Sequence, residues 1–354
     1  MGAMNNTKIL TSEDVAWFRD GASLAAAARG AAAALARRIG LNAHRAAEVA
    51  LAVTEAATNV HRHAVDGALL LRVIREDDGE AGVEFLTVDS GPGMTDVSAA
   101  LADGASSAGT LGIGLGAVSR LADHFDLHSL PGRGTVMAAQ FWPRSVDGRA
   151  VVASPGSSLA AGVTRPISGE SVCGDAWAVR SVDTGGGKPV VLVMMCDGLG
   201  HGPLAARASS AAVKAFESTT ESSPEGILNA VHRALQGTRG GAAAVARIEP
   251  EAGRVLYCGI GNVSGFLVGD DGRRALLSAP GIVGAQMRRL RTFEEPLPGY
   301  GALVMHSDGL TERWDPGKMP GLLHHSPLVT AGQLLREAAV RRDDASVVVV
   351  KGDW

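Results

Sequence analysis

The chain has 354 residues, which at roughly 150 residues per domain suggests about two domains. Hydrophobic residues make up 46% and charged residues 20%, a globular balance that excludes a disordered chain. A formal net charge of −4 offers no basic field, and five Trp and two Tyr offer no stacking platform, so a nucleic-acid binder is excluded.

Cys173, Cys196 and Cys258 are far apart, odd in number and without CxxC spacing, so neither a disulfide framework nor a zinc site is expected. The Ala-rich stretch from Ala22 to Ala36 is interrupted by Arg29 and followed by Arg37 and Arg38. Ala is too weakly apolar for a membrane span, and no signal peptide is visible, so the expected location is the cytoplasm.

In chain order, Leu24 to Ile39 reads as a helix. Gly40-Leu41-Asn42 breaks it, and Asn42 can cap a second helix reaching about Ala64. Strand-like runs follow at Ala68 to Arg75 and Val83 to Val88, then a turn at Asp89-Ser90-Gly91-Pro92-Gly93. A Gly-rich loop from Gly109 to Gly116 opens a helix through Leu121. Two more strands flank Pro131-Gly132-Arg133-Gly134. This half reads as α+β, with helices on one face of a mixed sheet. Pro143 to Gly148 is polar and turn-rich and Ser154 to Gly162 is rich in Ser, Gly and Ala, and a boundary between them gives domains at 1–145 and 155–354.

The second half carries short apolar runs at Ala176 to Val182, Val190 to Cys196, Ala242 to Ile248, Arg254 to Cys258, Gly265 to Val268, Ala302 to His306 and Ala345 to Val350. Helical segments lie at Leu204 to Glu217, at Pro224 to Leu235 and near Ala331 to Ala339. Many strands with few helices predict a β-sandwich with helices outside.

Four pieces in the first half suit a nucleotide. Glu55 and Asn59, four apart, project from one helix face. Asp89 enters Gly91-Pro92-Gly93, and Gly109, Gly112, Gly114 and Gly116 precede a helix. Gly132, Gly134 and Thr135 close the series. Glycines let backbone N–H groups approach a phosphate chain, and a helix N-terminus adds a favourable dipole. An Asn oxygen can bind Mg²⁺, Asp89 can accept from an exocyclic adenine amine, and Glu55 can take a hydroxyl proton.

This order resembles the GHKL ATPases. Glu55-Ala56-Ala57-Thr58-Asn59 is similar to their N box, and Asp89-Ser90-Gly91-Pro92-Gly93 and Leu111-Gly112-Ile113-Gly114-Leu115-Gly116 to their two glycine boxes. The stretch from Ala102 to Gly112, with Arg120-Leu121-Ala122-Asp123 and Pro131-Gly132-Arg133-Gly134-Thr135, resembles the RsbT-like switch kinases. That resemblance implies a Bergerat-type α/β sandwich that binds ATP and Mg²⁺ and phosphorylates Ser or Thr on STAS-domain proteins. It also implies Glu55 as base, Asn59 as Mg²⁺ ligand, Asp89 as adenine reader, the glycines at phosphate and Thr135 near adenine.

In the second half, acidic residues recur at strand ends beside Gly: Asp175 after Cys173-Gly174, Asp197 before Gly198, Asp308 before Gly309, and Asp343-Asp344 before the last strand. Converging carboxylates repel unless cations neutralise them, and an all-oxygen set favours hard ions such as Mg²⁺ or Mn²⁺. Together these residues resemble the SpoIIE branch of the type 2C metal-dependent phosphatases. Cys196-Asp197-Gly198-Leu199-Gly200-His201-Gly202 with Ala205, Ala206 and Ser209 is especially RsbX-like. The resemblance implies an αββα sandwich with two Mn²⁺ or Mg²⁺ ions. Asp197 would bridge them, the Gly198 carbonyl would bind one, Asp308 and Asp343 would hold the second, and Asp175 would act on the first ion's side through water. Cys173 stands where many relatives have Gly, and His201 is expected to pack around the site rather than bind metal. No Arg matches the phosphate-gripping position of larger relatives, leaving Arg165 and Arg180 as candidates.

The two resemblances imply a fused kinase and phosphatase acting on a STAS partner in a partner-switching pathway. Two alternatives stand beside it: a nucleotide-dependent module that binds an anti-sigma or sigma factor, and a nucleotide-sensing domain that regulates a phosphatase.

Overall fold

The computed structural model describes residues 7–11, 16–19, 21–75, 80–102, 114–144, 159–183, 187–287, 289–340, 342–352 and 354. In chain order the first elements are β1 (Thr7–Thr11), β2 (Ala16–Arg19), α1 (Leu24–Arg38), α2 (Ala43–His63), β3 (Ala68–Arg75), β4 (Ala81–Val88), α3 (Val97–Leu101), α4 (Gly114–Leu121), β5 (His124–Ser129) and β6 (Thr135–Phe141). There follow β7 (Ala160–Arg165), β8 (Asp175–Val182), β9 (Val190–Gly198), α5 (Pro203–Ser218), α6 (Pro224–Leu235), β10 (Gly241–Glu249), β11 (Arg254–Ile260), β12 (Ser264–Gly269), β13 (Gly272–Leu276), β14 (Phe293–Pro296), β15 (Gly301–His306), α7 (Pro327–Ala338) and β16 (Ala345–Gly352).

These elements form two units that interleave along the chain. One consists of residues 13–158 and 324–336, the other of 1–12, 159–323 and 337–354. In the first, α1 buries Leu24, Ala28, Ala32 and Ala36, one residue per turn, and α2 buries Val49, Ala52, Val53, Ala56, Ala57 and Val60. That spacing gives each helix one apolar stripe, and the small side chains bring the two backbones close. The Asn42 side chain accepts from the Arg45 N–H at 2.8 Å and starts α2 as a cap. The helices lie on an antiparallel sheet ordered β2-β3-β4-β6-β5, against Leu69, Leu71, Val83, Phe85, Met137, Ala139 and Phe141.

Alternate residues point to the opposite face of that sheet, where Leu70, Leu86, Val136 and Ala138 are also buried. Helix α7 covers this face: a Cβ at Gly332 would stand 2.8 Å from Val136 Cγ1 and 3.2 Å from Leu86 Cδ1. His128 Nδ1 lies 3.1 Å from Gln333 Oε1. At the start of the helix, Asp126 on β5 takes the Ser326 N–H at 2.6 Å and lies 2.7 Å from His325 Nδ1. Residues Leu328 to Leu335 are all buried, as expected for a helix apolar nearly all round.

The other unit is a sandwich of two antiparallel sheets, β1-β8-β9-β10-β11-β14 and β13-β12-β15-β16-β7. Trp177, Val193, Met195, Tyr257, Leu267, Leu303, Met305, Val348 and Val350 fill the space between them. Helices α5 and α6 pack on the first sheet over Leu192, Met194 and Cys196. Strand β9 is thus buried on both faces, which is why it reads as an unbroken apolar run in sequence. Strand β7 begins within the Ser-, Gly- and Ala-rich stretch from Ser154 to Gly162, and β1 and β2 precede the first element expected from the sequence. Their short runs carry too little periodicity to be read alone.

Candidate functional sites

The nucleotide candidates occupy one end of the first sheet. Asp89 follows β4, and its backbone N–H donates to the Thr135 carbonyl at 3.0 Å, which ties it to the start of β6. Its Oδ1 accepts from the Gly91 N–H at 2.7 Å. Burial holds the Asp89 carboxyl above its ordinary range, and the Gly91 N–H and Arg336 pull partly the other way. Thr135 Oγ1 lies 2.9 Å from Ser129 Oγ. A Cβ on Gly134 would fall 2.0 Å from the Asp89 carbonyl oxygen, and one on Gly93 would fall 2.1 Å from that of Leu130. Both glycines also have positive φ, 81° and 65°, so no other residue fits there.

Glu55 and Asn59 stand on α2, partly buried and one turn apart. The Asn59 side-chain amide has a buried Nδ2 with no hydrogen-bond partner. A buried amide with an open end suits a ligand-holding position, because leaving it unpaired costs about 1–3 kcal/mol. Gly114 and Gly116 lie in the first turn of α4, where a Cβ on Gly116 would meet the Leu101 carbonyl oxygen at 2.5 Å. Gly109 and Gly112 lie outside the described residues.

In the sandwich unit, Asp175 and Asp197 are direct cross-strand partners on β8 and β9. Asp308 follows β15 and Asp343 precedes β16, which are neighbours in the second sheet. The carboxyl groups of Asp197 and Asp308 lie close enough to perturb each other. Burial first, then the surrounding carboxylates, pushes Asp175 up to about 7 and Asp197 up to about 9. Asp308 is raised as well, by burial and then by Asp343. Gly198, beside Asp197, is closed in: a Cβ there would fall 2.4 Å from the Ala205 carbonyl oxygen.

Several residues that the motifs did not mark hold these carboxylates. Ser307 donates its hydroxyl to Asp175 Oδ2 at 2.6 Å and accepts the Ser346 N–H at 3.0 Å. Trp314 donates its indole N–H to His306 Nε2 at 3.3 Å, leaving Nδ1 to donate to the Ser307 carbonyl at 2.8 Å. That arrangement keeps His306 neutral, and burial lowers its pKa further. Asn262 donates to Asp308 Oδ2 at 2.6 Å. Asp344 accepts from the Ile167 and Gly174 N–H groups, each at 2.7 Å, and so shapes the loop that delivers Asp175.

The donor set fits hard divalent ions. It is all oxygen, and its members carry carboxyl groups raised by mutual crowding. Among the described residues no three acidic, His or Cys side chains form a finished metal cage. The reason is visible in the contacts: Asp197 and Asp308 face each other, and Asp175 is turned to Ser307. His201 is exposed and pairs with Glu170 at 3.1 Å.

Arg180 is not available for phosphate. It is buried, donates to the Thr219 and Glu221 carbonyls and lies over the Phe216 ring. Its alternation on β8 turns it toward the helices. Arg165 ends β7 opposite Ala345. No helix among the described residues is long and apolar enough to cross a membrane.

Both parts of the chain resemble known proteins. Residues 19–141 match the histidine kinase-like ATPase domain family, and residues 188–352 match the stage II sporulation protein E (SpoIIE) family. The serine/threonine-protein kinase RsbT of Bacillus subtilis (strain 168) is 35% identical over 110 residues, 31% of this chain and 82% of RsbT. The phosphoserine phosphatase RsbX of the same organism is 27% identical over 143 residues, 40% of this chain and 69% of RsbX. A solved structure from work on the bacterial stressosome is 32% identical, with a TM-score of 0.47, over 54% of this chain and 97% of that one. The chain therefore belongs, through its ATPase-like domain, to the RsbT family of serine/threonine-protein kinases, and residues 188–352 of the same polypeptide match the SpoIIE family.

Proposed function

We propose that this chain is a bifunctional enzyme that phosphorylates Ser or Thr on a STAS-domain partner and removes the same phosphate. The observation that carries this reading is the pairing of two separate sites in one polypeptide. One is a close-packed glycine turn that joins Asp89 to Thr135, with Asn59 on α2 in the same unit; the other is a buried carboxylate cluster around Asp197 and Asp308.

In the kinase site, Asp89 accepts from the adenine amine, with Thr135 beside it. Gly91 and Gly93, and the glycines at 109, 112, 114 and 116, let the backbone approach the phosphates. Asn59 would offer its amide oxygen to the Mg²⁺ that accompanies ATP, and Glu55 takes the proton of the partner's hydroxyl as that oxygen bonds to the γ-phosphorus and the bond to the β,γ-bridging oxygen breaks, releasing ADP.

In the phosphatase site, Asp197, the Gly198 carbonyl, Asp308 and Asp343 would hold divalent ions such as Mn²⁺ or Mg²⁺, with Asp197 shared between them. Asp175 serves the Gly198 side from its bond to Ser307. Bound ions supply a positive field that acidifies a water and draws charge from the phosphoryl group. The protein holds the carboxylates in place: Asn262 fixes Asp308, and Ser307 fixes Asp175.

The test is hydrolysis of a Ser- or Thr-phosphorylated STAS protein by the full chain with Mn²⁺. Loss of phosphate with wild type but not with Asp197→Ala supports the reading, and intact phosphate in both refutes its phosphatase half.

One observation favours a second reading, regulation of the phosphatase by nucleotide. The stretch joining Asp308 to Asp343 gives residues 324–336 to the nucleotide-site unit. On that reading ATP changes the phosphatase rate, and Glu55→Ala leaves that effect intact.

A further inference from the structure

We infer that Arg239 grips the phosphoryl group of the phosphatase substrate. The inference rests on the phosphatase reading above and adds to it a residue that no motif marks. A phosphoryl dianion arriving at Asp175, Asp197, Asp308 and Asp343 meets negative charge from each, and cations among those carboxylates offset only part of it. A guanidinium suits the remaining task, because its planar fork matches phosphate oxygens two at a time.

Four arginines on the strands of this unit are already committed. Arg180 is tied to the Thr219 and Glu221 carbonyls, Arg247 to Glu249 and the Ser222 carbonyl, and Arg254 to Glu249 and Glu294. Arg273 is stacked on Phe266 and Trp314, with its ring contacts at 4.4 and 4.5 Å. Arg239 differs: it is exposed, and among the described residues nothing takes a hydrogen bond or ion pair from its guanidinium.

Its backbone, by contrast, is firmly placed. Gly241 and Ala242 on β10 stand opposite Gly198 and Asp197 on β9. One residue earlier, the Gly240 carbonyl accepts the Leu199 N–H at 3.0 Å. Thr238 Oγ1 donates to the Leu235 carbonyl at 2.7 Å and accepts the Gly240 N–H at 3.0 Å. Positive φ at Gly237 and Gly240, 80° and 74°, permits this tight passage from α6 to β10. The loop therefore sets Arg239 alongside the segment that carries Asp197. Its Nη1 lies 3.0 Å from the point a Cβ on Gly200 would occupy. Gly200 leaves room for that guanidinium three residues beyond Asp197, and the Arg239 side chain remains free to meet a ligand.

The experiment compares wild type, Arg239→Ala and Arg239→Lys as full chains with Mn²⁺. Hydrolysis of p-nitrophenyl phosphate and of a phosphoserine peptide gives KM and kcat. Inorganic phosphate serves as competitive inhibitor and, separately, as a stabilising ligand in thermal unfolding. Removing a charged hydrogen-bonding partner raises KM and the inhibition constant of phosphate by about 10- to 100-fold, with kcat changing much less. Lys restores part of the loss. Phosphate raises the unfolding midpoint of wild type and not of Arg239→Ala, while Mn²⁺ binding is equal in both. Equal KM, equal inhibition and equal protection by phosphate in all three proteins overturn the inference. Protection by phosphate is read without turnover. An inactive wild type that phosphate still protects through Arg239 refutes the phosphatase reading and leaves Arg239 as a phosphate-binding residue, whereas an active wild type with no Arg239-dependent protection refutes the inference alone.

Discussion

Asp197 ends a strand of one sheet of the sandwich, Asp308 follows a strand of the other, and their carboxyl groups lie close enough to perturb each other. Burial and the neighbouring carboxylates raise both pKa values, so protons are held on the pair.

The stability of the metal-free protein therefore falls as pH rises. The sign follows from the direction of the shifts. Asp175 and Asp197 have folded pKa values of about 7 and about 9, above the unfolded 3.8, so the folded state binds more protons between those limits. Stability present below about pH 4 declines as pH passes through 7 toward 9. Thermal unfolding in chelator reads this directly. Mn²⁺ reverses the decline, most strongly at high pH, because binding needs the ionised carboxylates. Asp197→Asn at pH 8 raises the metal-free midpoint by about 2–4 °C per kcal/mol of relieved repulsion and abolishes the response to Mn²⁺.

Asn262→Ala leaves Asp308 without its 2.6 Å donor. Loss of such a supporting contact costs about 10- to 100-fold in metal affinity. Calorimetric titration of Mn²⁺ checks this, and Asn262→Asp, which puts a further carboxylate beside Asp308, does not restore affinity.

The nucleotide-site unit depends on α7. Burial raises the Asp126 pKa, but the His325 ring and the Ser326 N–H outweigh it and bring it down to about 2. A depressed folded value contributes stability that is fully present above the unfolded 3.8 and is lost as pH falls toward 2. After discounting for solvent screening, that amounts to about 1–2 kcal/mol. Asp126→Asn removes this acid-side dependence in denaturant titrations at pH 5 and pH 3. Gly332→Val drives a branched side chain into Val136 and Leu86 and costs about 1–3 kcal/mol.

Gly134→Ala places a methyl 2.0 Å from the Asp89 carbonyl at a φ of 81°. Strain of about 1–3 kcal/mol displaces Asp89 from Thr135. A fluorescent ATP analogue binds this variant at least about tenfold more weakly, while hydrolysis of p-nitrophenyl phosphate in the second domain persists.

Much of this was legible in the sequence, for physical reasons. Strand β9 is apolar on both faces because sheet and helices bury it, and Asp197 ends that run. The α1 and α2 stripes follow the helical period, and Asn42 announces its cap. The role of α7 was not legible: an apolar helix shows that it is buried, not which sheet covers it. Arg239 was hidden for a related reason, since its place beside Gly200 follows from the β9–β10 register rather than from nearby sequence. Asp343 and Asp344 look alike in sequence, and only the bonds from Ile167 and Gly174 mark Asp344 as the residue that shapes the loop.

The most direct test of two opposed activities in one chain is a time course of label on a STAS partner, with limiting labelled ATP and Mn²⁺ present. Label that rises and then falls with wild type, rises and stays with Asp197→Ala, and never appears with Glu55→Ala is the predicted result. Label that never appears with Asp197→Ala, or that falls as fast with Asp197→Ala as with wild type, contradicts the account.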